Sequence, residues 1–242
     1  MRSLTPADVF DLCDRGEGYG PSTRALLLLG AASPDASWDE LAELPLGERD
    51  RRLLRLRAAT LGPRLEAQAR CPACKETAEV DLDTAELLDT GEAVPELELF
   101  RGDLRVRVRP VMSRDLLAVE TCGAVEEVRR RIAESCLLAA WRNEEPVAPA
   151  DLAPWELDLV AEALASADSG AELLLDLSCP SCGQAWQELL DVAAFFWAEL
   201  ERRSSRVVLE IHLLARAYGW READVLAVSP RRRRQYLELL GA

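Results

Sequence analysis

One histidine, His212, serves the whole sequence of 242 residues. That scarcity removes most metalloenzymes built on imidazole ligands and most acid–base enzymes. Positive charge is also in deficit. Lys and Arg total 29 against 43 Asp and Glu, a net charge of −14 with pI near 4.7. Such a chain repels polyanions over most of its surface, which counts against a general nucleic-acid-binding role. No apolar run approaches the length of a membrane span. The first residues carry Asp8, Asp11 and Asp14 and lack the basic-then-apolar layout of a secretion signal, so the expected compartment is the cytoplasm. There is no Gly-rich phosphate loop, no nucleophile elbow and no paired-carboxylate frame. The sequence is therefore expected to be non-catalytic and to have no small-molecule substrate.

What is present is cysteine, seven residues of it. Four fall in two matched turns, Cys71-Pro72-Ala73-Cys74 and Cys179-Pro180-Ser181-Cys182. A Cys-x-x-Cys turn sets two thiolates on one side of a tight loop, and two such turns supply the four soft ligands of a tetrahedral zinc. A full sulfur shell leaves no open coordination position, so the expected role is structural. The two turns are separated by 104 residues, Lys75 to Ser178, far more than in a compact ribbon. The expectation is a zinc ribbon split by an insertion. Two other uses of these cysteines remain open: a thiol–disulfide redox pair, and cysteines without a ligand. Cys13, Cys122 and Cys136 read as core residues on apolar helix faces.

The flanks of the two turns repeat weakly. Each turn sits between two short strands, and Asp83 and Asp191 each follow the first cysteine of their pair by twelve residues, in position to cap the next helix. Strands are expected at 64–70, 77–82, 173–177 and 186–190. Glu96 to Phe100 and Leu104 to Val108 alternate apolar and polar around Arg101-Gly102-Asp103, which predicts a β-hairpin. Helices are expected at 4–14, 22–32, 46–61, 113–121, 124–142, 154–167, 191–203, 204–218, 220–227 and 229–240, with a short helical turn over 38–43 and a Pro-rich linker or wide turn over 145–154. The fold class is α+β, mostly helical. The organisation is an N-terminal helical region (1–63), the first half of the ribbon (64–83), inserted hairpin and helices (84–171), the second half of the ribbon (172–191) and a C-terminal helical docking segment (192–242).

Two Arg-rich stretches, 49–57 and Arg231 to Arg234, read as solvated faces or as sites for an acidic protein partner. His212 reads as a packing or capping residue. Tyr218 and Trp220 flank Gly219 at a helix corner, where aromatics can seal a core or anchor an interface.

Three stretches carry a family likeness: Leu44-Pro45-Leu46-Gly47-Glu48-Arg49-Asp50 with the leucines after it, each Cys-Pro-x-Cys with its strands, and the tail with Ile211-His212-Leu213-Leu214-Ala215, Tyr218-Gly219-Trp220 and Arg232-Arg233. Together they resemble the baseplate hub assembly proteins of contractile-tailed phages of the T-even type and of related contractile injection systems. Lys75 departs from that pattern, standing where the second turn has Gly183. The resemblance implies an assembly chaperone or adaptor whose partners are baseplate hub or spike proteins. Tyr218, Trp220, Arg231, Arg233 and Arg234 are the expected docking residues. A permanent baseplate component and a zinc-ribbon nucleic-acid-binding regulator are the alternatives.

Overall fold

The computed structural model describes residues 1–88 and 91–241. Asp89, Thr90 and Ala242, which fall in the expected 84–171 and 192–242 regions, lie outside the described residues.

The first four helices are α1 (Pro6–Arg15), α2 (Pro21–Ala32), α3 (Trp38–Ala42) and α4 (Leu46–Leu61). Their ends follow local chemistry. Thr5 and Asp8 form a reciprocal capping box at α1, as Ser37 and Glu40 do at α3. Strands β1 (Arg64–Arg70) and β2 (Thr77–Asp83) make the first hairpin. Asp83 then caps a short 3-10 turn over Thr84–Leu87 by accepting the Ala85 N–H. At the far end of the chain, β7 (Leu174–Ser178) and β8 (Ala185–Leu189) make a second hairpin, and Asp191 caps the helix that follows. Both capping aspartates act as the twelve-residue spacing implied.

Between the hairpins lies a sheet of four antiparallel strands in sequence order: β3 (Leu97–Arg101), β4 (Leu104–Val108), β5 (Leu137–Arg142) and β6 (Glu145–Pro146). Helices α5 (Ser113–Val119), α6 (Val125–Cys136) and α7 (Glu156–Ala167) accompany it. Alternation decides the sheet's faces. Leu104, Val106 and Val108 turn inward onto Leu159, Val160 and Ala163 of α7. Three expectations are corrected here. The helix expected over 124–142 ends at Cys136, and 137–142 is strand, because an apolar run next to β4 gains a ladder partner there. The 145–154 stretch holds β6 and a 3-10 turn over Pro149–Asp151. The helices expected at 191–203 and 204–218 are one helix, α8 (Val192–Tyr218); Ser204 and Ser205 lie within it without breaking it. Helices α9 (Glu222–Ala227) and α10 (Pro230–Leu239) fold back on α8.

Two cores result. The larger joins α1, α2, α4, the root of β1 and the first turns of α8 through residues such as Leu26, Leu54, Leu65, Phe196 and Trp197. The smaller is the sheet with α6 and α7. The Leu44–Asp50 stretch is the joint between them. Pro45 bridges Met112, the Leu46 N–H donates to Val111 O, and the Gly47 N–H donates to Asp168 Oδ2 at 2.8 Å. From the other side Glu120 accepts from the Ser22 and Thr23 N–H groups and so caps α2, whose own N-cap residue offers no side-chain bond.

The arginines of α4 do not form the solvated basic face that the sequence implied. Arg49 pairs with Asp50, Arg52 with Glu48, and Arg57 forms a bidentate pair with Glu199 at 2.7 and 2.9 Å while its third nitrogen donates to Gly62 O. Arg49, Arg51 and Arg57 are all buried. The helix tolerates so many cations because carboxylates from its own turns and from α8 meet them.

Candidate metal centre and partner surface

The tips of the two hairpins meet although Cys74 and Cys179 stand 105 positions apart. Each turn is closed the same way. The Cys71 N–H donates to Glu76 O at 2.9 Å and the Lys75 N–H to Cys71 O at 3.0 Å; the Cys179 N–H donates to Gln184 O at 2.8 Å and the Gly183 N–H to Cys179 O at 3.0 Å. The closing residue needs a left-handed backbone, with φ of 74° at Gly183 and 66° at Lys75. Glycine takes that conformation without penalty; lysine does not. Lys75 recovers part of the difference by donating its Nζ to Pro72 O at 2.7 Å.

Four sulfurs converge at this meeting point. The Sγ atoms of Cys71, Cys74, Cys179 and Cys182 all lie within 4.8 Å of one another. Cys71 and Cys182 are 3.7 Å apart, Cys74 and Cys179 3.6 Å. A tetrahedral shell with metal–sulfur bonds of about 2.3 Å has edges of about 3.8 Å, so the cage has the size such an ion requires. The backbone adds polarity. The N–H groups of Cys74 and Ala73 bond the Cys71 sulfur and hold its thiol well below the usual range, at about 6. The N–H groups of Cys182 and Ser181 lower Cys179 in the same way. Amides aimed at sulfur favour thiolate, the form that binds metal. Within each pair the first cysteine is buried and the second exposed. The four cysteines can therefore hold a metal ion in a closed shell.

The remaining cysteines are elsewhere. Cys136 is fully buried, and burial, with Asp115 close by, pushes its thiol up to about 12. Cys13 and Cys122 are half-buried. His212 is exposed in the interior of α8, away from the helix ends and outside both cores.

The expected docking residues are divided by the structure. Tyr218 and Trp220 pack on each other and on Tyr236, with ring centroids 4.9 to 5.7 Å apart. Gly219, at φ 69°, turns the chain between them and ends α8. This trio pins the second half of α10 to the end of α8, while Tyr218 keeps 40% of its surface exposed. Arg231 and Arg234 are exposed on α10. Arg233 is not: it is 3% exposed, its Nε donates to Glu210 Oε2 at 2.8 Å and its Nη1 to Val228 O at 2.8 Å. As an expected docking residue Arg233 is corrected to a structural one, because a single turn of helix carries its neighbours outward and itself inward. Arg233→Gln should lower stability by about 2 kcal/mol, the scale of a lost charge-assisted bond. The double change Arg231→Gln/Arg234→Gln should leave the melting curve within about 0.5 kcal/mol of the parent. Equal effects from the two variants in paired melts would contradict this assignment.

Reading residues one at a time missed a third arginine group, Arg202, Arg203 and Arg206 on α8. Its signal was their i, i+1, i+4 spacing on a continuous helix. Among the described residues no helix is long and apolar enough to cross a membrane.

A family model described as T4 bacteriophage base plate protein matches residues 33–197. No curated protein and no solved structure matches the chain. The matched span takes in the Leu44–Asp50 joint, both hairpins with all four clustered cysteines, the inserted sheet and the buried first turns of α8. The match therefore covers the smaller core, the α4 and α8 parts of the larger one and the four-cysteine cluster, about two thirds of the chain, and the chain belongs to the T4 bacteriophage base plate protein family.

Proposed function

We propose that this protein is a non-catalytic assembly chaperone or adaptor for the baseplate hub of a contractile tail or injection system, acting in the cytoplasm and holding one structural zinc ion. The observation that carries the reading is the family match over residues 33–197. The site chemistry supports the non-catalytic half of it. Four thiolates around a dication leave no position for water or substrate, so the ion ties the hairpins together and does no chemistry. Zinc is favoured because a tetrahedral all-sulfur shell in a reducing compartment suits it. The C-terminal arm, α8 to α10, supports the adaptor half. It projects exposed Val208 and Leu209, each more than half exposed, beside exposed arginines on a chain that is otherwise acidic.

The test is co-expression of the tagged protein with the hub and spike proteins of its own system, followed by affinity capture and by analysis of purified particles. A chaperone captures a hub or spike protein and is absent from finished particles. Presence in those particles at fixed stoichiometry would establish the permanent-component alternative instead. Capture of neither hub nor spike protein, with the protein folded, would remove both.

A further inference from the structure

The arginines of this chain are distributed in two regimes. Up to Arg142, every arginine except Arg55 and Arg70 has a carboxylate at ion-pair distance. From Arg202 to Arg234 there are nine arginines, and among the described residues only Arg233 has such a partner. Residues 202–241 hold nine arginines against four carboxylates, in a chain with 43 carboxylates and a net charge of −14. Carboxylates are abundant, so an unpaired guanidinium is the exception that calls for a reason.

Three of these cations share one concave place. A cleft of about 820 Å³ opens between the end of α4, the Gly62-Pro63 turn, the start of β1 and the middle of α8. Its floor is neutral and rigid: Arg57 is spent on Glu199 and Gly62 O. Its rim carries Arg202, Arg203 and Arg206, all exposed, together with Arg64, which is tied to Asp81. Arg202 donates only to Ala198 O of its own helix. Like charges at i and i+4 on a helix repel, and among the described residues neither Arg202 nor Arg206 has a carboxylate at ion-pair distance; of the two glutamates lining the cleft, Glu199 is taken by Arg57 and Glu66 stands at the far border. Guanidinium forks are shaped to take carboxylates or phosphates in pairs.

We infer that this cleft is a docking site for a short acidic stretch of a partner polypeptide. The boundaries of the cleft select that occupant over nucleic acid. At Glu66 and Arg202 it runs into the groove between the two hairpins, which is lined by Glu79, Asp81, Glu188 and Asp191. A polyanion with a charge every ~1.7 Å of axis would be carried from the arginines straight onto those carboxylates. A stretch of about four to six residues with two or three carboxylates ends before them. The inference stands apart from the assembly reading, since a chaperone and a permanent component could both use the cleft.

The experiment is fluorescence anisotropy with full-length, metal-loaded protein and a labelled hexapeptide of alternating serine and glutamate, beside a labelled 16-base-pair DNA duplex. The peptide is expected to bind at low salt, more tightly than the DNA, and to weaken as salt rises. Arg202→Glu/Arg206→Glu is expected to weaken peptide binding about tenfold or more, whereas Arg231→Glu/Arg234→Glu on α10 leaves it within about twofold. Should the reversal disturb folding, Arg202→Gln/Arg206→Gln serves, with an expected loss of about threefold to tenfold. No peptide binding, tighter binding of DNA, or loss through the α10 pair with the α8 pair silent would each overturn the inference.

Discussion

Cys71→Ser should strip the metal from this protein and lower its melting temperature by about 10 to 20 °C. The argument starts from chain statistics. Cys71 and Cys182 are 111 positions apart, and an ion that joins them removes the freedom of a loop about that long from the unfolded state. A covalent link around a 100-residue loop contributes about 4.7 kcal/mol by that mechanism, and structural zinc binding supplies on the order of 10 kcal/mol of apparent free energy in small peptides. A loss of about 5 kcal/mol moves the midpoint of a chain this size by the stated range. Cys71 is the informative position because it is fully buried and its sulfur takes two backbone amides, whereas Cys74 is exposed. Serine keeps the shape but not the soft thiolate. Metal analysis of the parent should give one zinc per chain, and the variant close to none. Cys13→Ser, outside the cluster, should melt within a few degrees of the parent. A parent preparation with no zinc or two, or a Cys71→Ser melt that overlays the parent, would remove the shared site.

Trp197→Ala should cost about 4 kcal/mol, the second large effect. Trp197 is 1% exposed in the first turns of α8, where the chain arrives from the second hairpin. Its ring lies against Gly16 at the end of α1, so close that any side chain there would meet it at 2.1 Å. Arg24 of α2 stacks over the ring at 4.8 Å, and the indole N–H donates to Glu201 at 2.6 Å. One side chain thus locks α1, α2 and α8. Truncating it opens a cavity that three helices cannot close together, and large-to-small changes of this kind cost about 3 to 5 kcal/mol. Chemical denaturation measures the loss. The midpoint should fall with little change in slope, and a cost below about 1 kcal/mol would show that the helices repack around the gap.

The legible parts of the fold were those with short-range causes. Two Cys-Pro-x-Cys turns, two capping aspartates at equal spacing and the Arg101-Gly102-Asp103 turn each act within a few residues, and each behaves as the sequence implied. The convergence of the two turns was also legible, through ligand chemistry. What was not legible depends on distant neighbours. Leu137–Arg142 continues a helical pattern and becomes strand only because β4 offers hydrogen bonds along it. Arg57 and Arg233 look like surface cations until Glu199 and Glu210 reach them from α8. The same blindness hid the Arg202 cleft, whose meaning comes from carboxylates that fail to arrive.

The clasp also changes how the chain carries tension. Covalently the protein is a line. Four sulfurs on one ion would close the stretch between the hairpin tips into a ring, with the four-stranded sheet and α5 to α7 wholly inside it. The two ends of the chain leave from the same knot of bonds: the N-terminal helices on one side, the α8 arm on the other. A pull applied between those ends would then travel through the helical core and the metal–sulfur bonds rather than along the inserted chain. The sheet would then sit off the line of force between the head of the molecule and its arm, held to the helices by the Leu44–Asp50 joint and by Glu120 at α2.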